Sequence, residues 1–368
     1  MSLATDTPKA VDISRIEREL NQLWGGQLRD PDDASVTRAC MSNLIVFCSG
    51  AEQASALAND VGTIVEQHPS RVLLLVSDPS AADSNAMAAY VSAHCHLAGG
   101  GRQICSEHIT VRASHGATRR LPSAARALLI GDLPTALWWT VGEAPARGEA
   151  FFEELAAMAD HVIYDSVGWS DPARGVLAAA TWVGEGQSGQ SVSDLAWRRL
   201  KAWRRFFAQC LDPAVLPGAL EGITEVAIEY GPRALPQAWL LIGWLADCLQ
   251  WRARAGTART AAAATWSFDT GHGPVRVATR ALAHGPAELR RVSVTTTSLG
   301  ESLTVTFTAT DGRLVMTTSG ARTTSRTLPA PPLSRPVLVA RQLPKLGRDA
   351  LYRRALRVSR TMAEALLR

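Results

Sequence analysis

The sequence predicts a Rossmann-like α/β domain with a mostly parallel sheet, followed by an α+β domain with long helices and an antiparallel sheet. Three observations carry this. Short apolar runs alternate with amphipathic helical periods over residues 43–164, the helical periods lengthen beyond Gly175, and from Trp266 the chain turns Thr-rich and alternates residue by residue. At 368 residues the chain exceeds a usual single core, so more than one domain is expected. The expected division is an N-terminal helix and linker over 1–42, the Rossmann-like domain over 43–171 and the α+β domain over 172–368.

A first amphipathic helix is predicted over 13–23, ending at Gly25 and Gly26. Residues 43–47 form a short apolar run that suits a buried strand. Residues 52–67 place Ala54, Leu57, Ala58, Val61, Ile64 and Val65 at helical spacing, and His68-Pro69 stops them. RVLLLV at 71–76 reads as a second buried strand, which completes a βαβ unit. A helix near 85–94, a break at Gly99-Gly100-Gly101 and a strand over 103–113 follow. Ser123 is then expected to cap a helix over 124–130, Gly131 to end it, and Pro134 to launch the strand that finishes in Trp138 and Trp139. A helix over 151–159 leads to the strand HVIY at 161–164.

Further on, Ser191 and Asp194 resemble a capping box. Trp197, Leu200, Trp203, Phe207 and Leu211 recur behind it at helical spacing, flanked by Arg198, Arg199, Arg204 and Arg205. Residues 223–230 alternate as a strand, and 239–249 read as an apolar helix. Val292 and Val294, then Leu303, Val305 and Phe307, then Leu314 and Met316 predict an antiparallel meander with one wet face and an Asp311-Gly312 turn. PAPP at 329–332 reads as a hinge before a terminal helix over 348–368, with Leu351, Ala355, Val358, Met362 and Leu366 on one side.

Composition removes several function classes. The net charge is only +4, and nearly all basic residues are arginine, with lysine only at Lys9, Lys201 and Lys345. No basic stripe with interleaved aromatics marks a nucleic-acid surface, so no nucleic-acid partner is expected. The N-terminal residues lack the pattern of a secretory signal, which predicts a cytoplasmic protein. The apolar segment 234–251 contains Gln237, Asp247 and Gln250, so it reads as a buried core helix and no membrane partner is expected. Six cysteines scattered through predicted strands and helices are no secreted disulfide framework.

The candidate chemistry is sparse. GEGQSGQS at 184–191 matches G-x-G-x-x-G, but Gln190 stands where a phosphate loop needs lysine, and no acidic residue follows at the dinucleotide spacing. His94, Cys95, His96, Cys105 and His108 are metal-ligand types, yet His94 and His96 on a helix would point apart, so no metal is expected. No G-x-S-x-G elbow singles out a nucleophile, and no catalytic residue is assigned. Asp132 and Asp165 sit at element ends where α/β sheets form ligand crevices. Arg119-Arg120, Arg198-Arg199 and Arg204-Arg205 suit a sugar phosphate or an acidic patch on a partner. Tryptophan anchors interfaces when exposed, but the spacing of Trp197 and Trp203 favours core.

Several motifs recur together in this order: L-P-S at 121–123, D-L-P at 132–134 followed by Trp138-Trp139, D-S at 165–166, and D-L-A-W at 194–197 with W-R-R at 203–205. In this the chain, over residues 43–251, resembles the glucose-6-phosphate dehydrogenase assembly protein family, OpcA. The resemblance implies a non-catalytic partner that binds glucose-6-phosphate dehydrogenase and promotes its assembled, active form. That role supports NADPH production in the oxidative pentose phosphate pathway and needs no cofactor. Arg126, Trp138, Trp139, Arg198, Arg199, Arg204 and Arg205 are then the expected partner-binding residues. In some lineages of the family the protein is redox-sensitive, which makes Cys95 and Cys105 the candidate thiols. Ser106 follows Cys105 where relatives are expected to carry a second cysteine, so alkylation is expected to leave activation intact. The competing reading is an α/β enzyme or sensor that binds a nucleotide or sugar phosphate in the sheet crevice near Asp132 and Asp165.

Overall fold

The computed structural model describes residues 9–27, 36–80, 85–97, 103–145, 148–185, 190–254, 257–260, 263–320 and 323–367. Two nine-stranded sheets organise them. The first half supplies β1 (Lys9–Val11), α1 (Ile16–Gln27), β2 (Val36–Arg38), β3 (Ser42–Ser49), α2 (Ala51–Gln67), β4 (Ser70–Asp78), β5 (Met87–Leu97) and β6 (Gln103–Ser114). It continues with α3 (Leu121–Leu128), β7 (Thr135–Trp139), α4 (Ala150–Ala156), β8 (His161–Tyr164), α5 (Pro172–Glu185) and β9 (Ser191–Asp194). The strand order is β1-β5-β6-β4-β3-β7-β8-β9, with β2 beside β6. From β6 to β9 every pair is parallel, whereas β1 and β5 form an antiparallel edge.

Both faces of this sheet are covered, which is why its strands read as continuous apolar runs. Along β3, Leu44, Val46 and Cys48 face α2, where they meet Leu57, Val61 and Ile64. Ile45 and Phe47 point the other way, into the core that holds residues of α3, α4 and α5. The period of two sends neighbours to opposite layers.

The structure differs from several sequence expectations. The helix expected near 85–94 is instead β5 over 87–97, because eleven consecutive residues pair with β6 and this long ladder outweighs local helix propensity. Helix α1 continues through Gly25 and Gly26 to Gln27. Ser123 lies inside α3, whose start is set by Pro122 in the first turn and whose C-cap is Leu129 in place of Gly131. β9 lies beyond Asp171, so the first sheet extends to Asp194. Gly99, Gly100 and Gly101, and the glycines Gly186 and Gly189 of the 184–191 run, lie outside the described residues.

The second half supplies α6 (Leu195–Arg199), α7 (Lys201–Cys210), β10 (Glu225–Tyr230), α8 (Leu235–Cys248), β11 (Arg252–Ala253), β12 (Thr257–Thr260), β13 (Ala263–Thr270) and β14 (Gly273–Ala281). Then come β15 (Leu289–Ser298), β16 (Glu301–Thr310), β17 (Arg313–Ser319), β18 (Ser325–Pro329), α9 (Arg335–Ala340) and α10 (Ala350–Leu366). The order is β11-β13-β14-β10-β15-β16-β17-β18, with β12 beside β13. All pairs are antiparallel except β10 with β14. Val292, Val294, Val305, Phe307 and Met316 are buried on one face, as the alternation predicts.

The expected single helix behind Asp194 breaks at Leu200 into α6 and α7. The PAPP run is tied down at its first alanine, since Ala330 N–H donates to Gly312 O at 2.8 Å. On α10 the inward face holds Tyr352, Ala355, Leu356, Ser359, Met362 and Ala363, while Leu351 is 44% exposed. Helix α8 is buried nearly all round, and among the described residues no helix is long and apolar enough to cross a membrane.

Candidate functional site

In an open parallel sheet the ligand crevice forms where successive connections leave in opposite directions. Here that point lies between β3 and β7, at the turn from Ser49 into α2. The crevice is bridged by the chain itself. Gln53, in the first turn of α2, donates from Nε2 to Thr140 O at 2.9 Å and to Thr140 Oγ1 at 3.2 Å. Its Oε1 accepts Ser49 N–H at 3.0 Å, Gly50 N–H donates to Ser77 O at 2.8 Å, and Thr140 Oγ1 donates to Phe47 O at 2.7 Å. The N–H groups of Ser49 and Gly50 are thus engaged, and Glu52 adds a negative charge to the first turn of the helix.

Asp132 and Asp165 do not converge on that crevice. Asp132 precedes β7 and Asp165 follows β8, and these strands run parallel, so the two carboxylates lie at opposite ends of the sheet. Asp165 is also taken, accepting both arms of the Arg199 guanidinium at 2.8 and 2.7 Å.

The arginine and tryptophan segment turns inward. Trp197 is fully buried and donates from Nε1 to Asp349 Oδ2 at 2.9 Å. Arg198 reaches the same oxygen at 3.0 Å and Ser193 Oγ at 2.9 Å, and His161 Nε2 lies 3.0 Å from that hydroxyl. Arg204 lies over the Trp197 ring, 3.3 Å from its centroid, and donates to Trp197 O at 3.1 Å. Asp349 also caps α10 through Tyr352 N–H, and the Tyr352 hydroxyl bonds that of Tyr164 on β8. Of the arginines expected as partner contacts, Arg198 therefore ties β9 to the start of the terminal helix, Arg199 ties α6 to the residue after β8, and Arg204 packs back on Trp197 of α6. Burial first, then Asp165, pushes the Asp194 carboxyl up to about 7, although it accepts Ser166 and Ala196 N–H.

Trp138 and Trp139, also expected at a contact surface, are core residues at 1% and 6% exposure. As neighbours on β7 they face opposite layers. Trp138 packs in the α2 layer with the Arg335 guanidinium over its ring, and Trp139 stacks on Phe47 with ring centroids 4.9 Å apart. Trp169, Trp197, Trp203, Trp239, Trp251 and Trp266 are likewise buried and Trp182 and Trp244 half-buried, whereas Arg126 and Arg205 are exposed.

The histidine and cysteine group also rearranges once 87–97 is a strand. His94 and His96 share one face of β5, and His94 meets α2 at Gly62. Cys95 points to the other face and sits directly opposite Cys105 on β6, to which it is joined by a disulfide. The two candidate redox thiols are thus joined to each other: directly paired residues of an antiparallel ladder bring their Cβ atoms within disulfide reach. Among the described residues no group of three His, Cys, Asp or Glu side chains is placed to hold a metal ion.

A cleft of about 490 Å³ opens between α7, the β16–β17 turn, the proline run after β18 and the residue after α9. Lys201 and Arg205 line it from one face of α7, Arg313 from β17 and Arg341 from the end of α9. Sequence reasoning singled out Arg205 but missed Lys201, Arg313 and Arg341, which come from separate elements. Gln53 and Asp349 were missed for the same reason, since each acts on a partner remote in sequence.

Together these features define a two-sheet protein with a Rossmann-like first sheet whose switch-point crevice is bridged by its own side chains. Among solved structures, an oxidoreductase from Sinorhizobium meliloti is similar in fold, with a TM-score of 0.50 and 11% identity over 89% of this chain and 97% of that one. Residues 61–181 match the family described as the glucose-6-phosphate dehydrogenase subunit N-terminal domain, and 190–356 match its C-terminal domain counterpart. The chain belongs to the OpcA family of glucose-6-phosphate dehydrogenase assembly proteins. It is 34% identical over 191 residues to the OxPP cycle protein OpcA of Nostoc punctiforme, a match covering 51% of this chain and 40% of that protein. The corresponding Synechocystis protein is 30% identical over 191 residues, covering 51% of this chain and 39% of that protein. The match thus spans well under two thirds of either relative.

Proposed function

We propose that the chain is a non-catalytic assembly factor and allosteric activator of glucose-6-phosphate dehydrogenase, supporting the oxidative pentose phosphate pathway and NADPH production. The observation that carries this reading is the bridged crevice: in a member of the OpcA family, Gln53 and Thr140 occupy the place where this architecture takes a dinucleotide. A chain that fills its own cofactor crevice acts through its surface. Preferential binding to the active conformation or oligomer of the dehydrogenase shifts the enzyme towards that state. Of the residues expected at the contact, Arg126 and Arg205 are exposed and suit that role, while Trp138, Trp139, Arg198, Arg199 and Arg204 support it from inside. A cytoplasmic setting without nucleic-acid or membrane partners goes with the role.

Dehydrogenase kinetics with and without the full chain, alongside gel filtration of the mixture, test the proposal. Co-elution and a raised rate are expected; an unchanged rate with separate elution refutes it. The competing crevice sensor predicts stabilisation by a ligand that Gln53→Ala strengthens. Nothing in the placement of Asp132 and Asp165 favours that reading.

A further inference from the structure

The basic cleft has a composition that packing does not explain. Lys201, Arg205, Arg313 and Arg341 line it, and among the described residues none of the four has a side-chain hydrogen-bond or ion-pair partner. Arg198 and Arg199 also reach the wall, but Asp349 and Asp165 hold them. Of the two carboxylates in the lining, Glu288 is paired with Arg290 at 3.1 Å, which leaves Asp311 against four unpaired cations. Lysine is found at only three positions in the chain, and one of them is here. The positive field reaches further: the Lys345 ammonium is held below its ordinary range by burial, then by Arg198, Lys201 and Arg341.

The cleft is also held in shape. Lys201 and Arg205 are one helical turn apart on α7 and therefore share a face. Opposite them, the β16–β17 turn adopts positive φ at both Asp311 (41°) and Gly312 (73°), a tight hairpin geometry. The Ala330 bond to Gly312 O fixes the proline run on that turn. Pro332 and Leu333 present an apolar wall beside the charges. Its volume lies within the range of roughly 300–1,000 Å³ that small-molecule sites occupy. Like charges focused in a concave wall attract anions more strongly than the same charges spread over a flat face.

We propose that this cleft binds a small phosphorylated molecule, with Lys201, Arg205, Arg313 and Arg341 taking its phosphate oxygens and Pro332 and Leu333 packing its organic part. A concave cleft of this size suits a compact polyanion better than the acidic face of a folded protein. The inference goes beyond the assembly role, because binding is a property of the chain alone and is measured without the dehydrogenase.

Thermal melting and calorimetry of the full chain with inorganic pyrophosphate, ADP and adenosine test it, with sodium sulfate at equal ionic strength as the control. Pyrophosphate and ADP are expected to give saturable stabilisation that adenosine and sulfate do not reproduce. ADP binding more tightly than pyrophosphate assigns the organic part to the Pro332 wall; equal binding assigns recognition to the phosphates. Lys201→Ala/Arg205→Ala and Arg341→Ala remove side chains without internal bonds, so folding is retained, and each is expected to weaken binding about tenfold or more. No saturable effect of either phosphate probe overturns the proposal. So does an effect matched by sulfate, one unchanged in the variants, or binding of an acidic peptide alone.

Discussion

At the scale of single residues, burial decides what the side chains can do. Trp138 and Trp139 carry the sequence motif that marks the family, yet each is packed into a different layer of the first sheet. Replacing either by alanine opens a cavity and is expected to cost about 3–5 kcal/mol in urea unfolding. Loss of dehydrogenase binding at unchanged stability would instead place the ring at the interface. The thiols follow the same logic. Cys95 and Cys105 are joined, and burial raises the thiols of Cys40, Cys210 and Cys248 and pushes Cys48 up to about 12. Thiolate, the reactive form, is scarce at all four free positions near neutral pH. Iodoacetamide treatment of the unreduced chain is therefore expected to leave co-elution with the dehydrogenase unchanged, and loss of the complex would contradict this.

At the scale of elements, α8 and α10 cross in close backbone contact. A Cβ on Gly243 would lie 2.2 Å from Ala355 O, which is backbone and has no rotamer with which to yield. Gly243→Ala is thus expected to force the helices apart at a cost of about 1–3 kcal/mol, read as a lower urea midpoint. A midpoint at or above that of the parent chain would show that the crossing relaxes freely. The same element view explains what was legible in the sequence. β3, β4, β7 and β8 were readable because both faces are covered and their apolar runs are continuous. β5 was not, because its pairing with β6 is non-local and the Ala-rich local sequence favours helix. The paired arginines of α6 and α7 read as a wet face, since only the fold brings them Asp165 and Asp349, 34 and 151 residues away. Asn43 gave no signal at all, although its side chain pins the turn before β7 through Ile130 O, Ile130 N–H and Thr135 Oγ1. The closure of the crevice was equally hidden, because Gln53 in sequence is one polar residue in an amphipathic helix.

At the scale of the molecule, the buried titratable groups set opposing slopes that fix where stability is greatest. Burial, then His94, lowers His108 to about 4, and burial, then Arg198, lowers His161 to about 4, both from 6.5. Asp194 moves the other way, from 3.8 up to about 7. Between about pH 4 and 6.5 the unfolded chain holds two histidine protons that the folded chain lacks, while the folded chain holds one proton on Asp194 that the unfolded chain has lost. The unfolded state therefore binds one proton more from these groups, and stability rises with pH by about 1.4 kcal/mol per unit. Burial also lowers His68, which steepens this limb. At pH 6.5 the unfolded histidines are still half protonated, and only near pH 7 do the two states hold equal numbers of protons, so the rise levels off there. Urea unfolding from pH 5 to 8 is expected to show stability that rises and then levels off near pH 7. Asp194→Asn supplies the control, because its side-chain oxygen can still accept the Ser166 and Ala196 N–H groups that Oδ1 accepts now. That variant is expected to show an acid limb about twice as steep. An identical profile in the variant would mean that Asp194 is ionised in the folded chain and that the polar network around Tyr164, Tyr352 and Arg199 stabilises its charge.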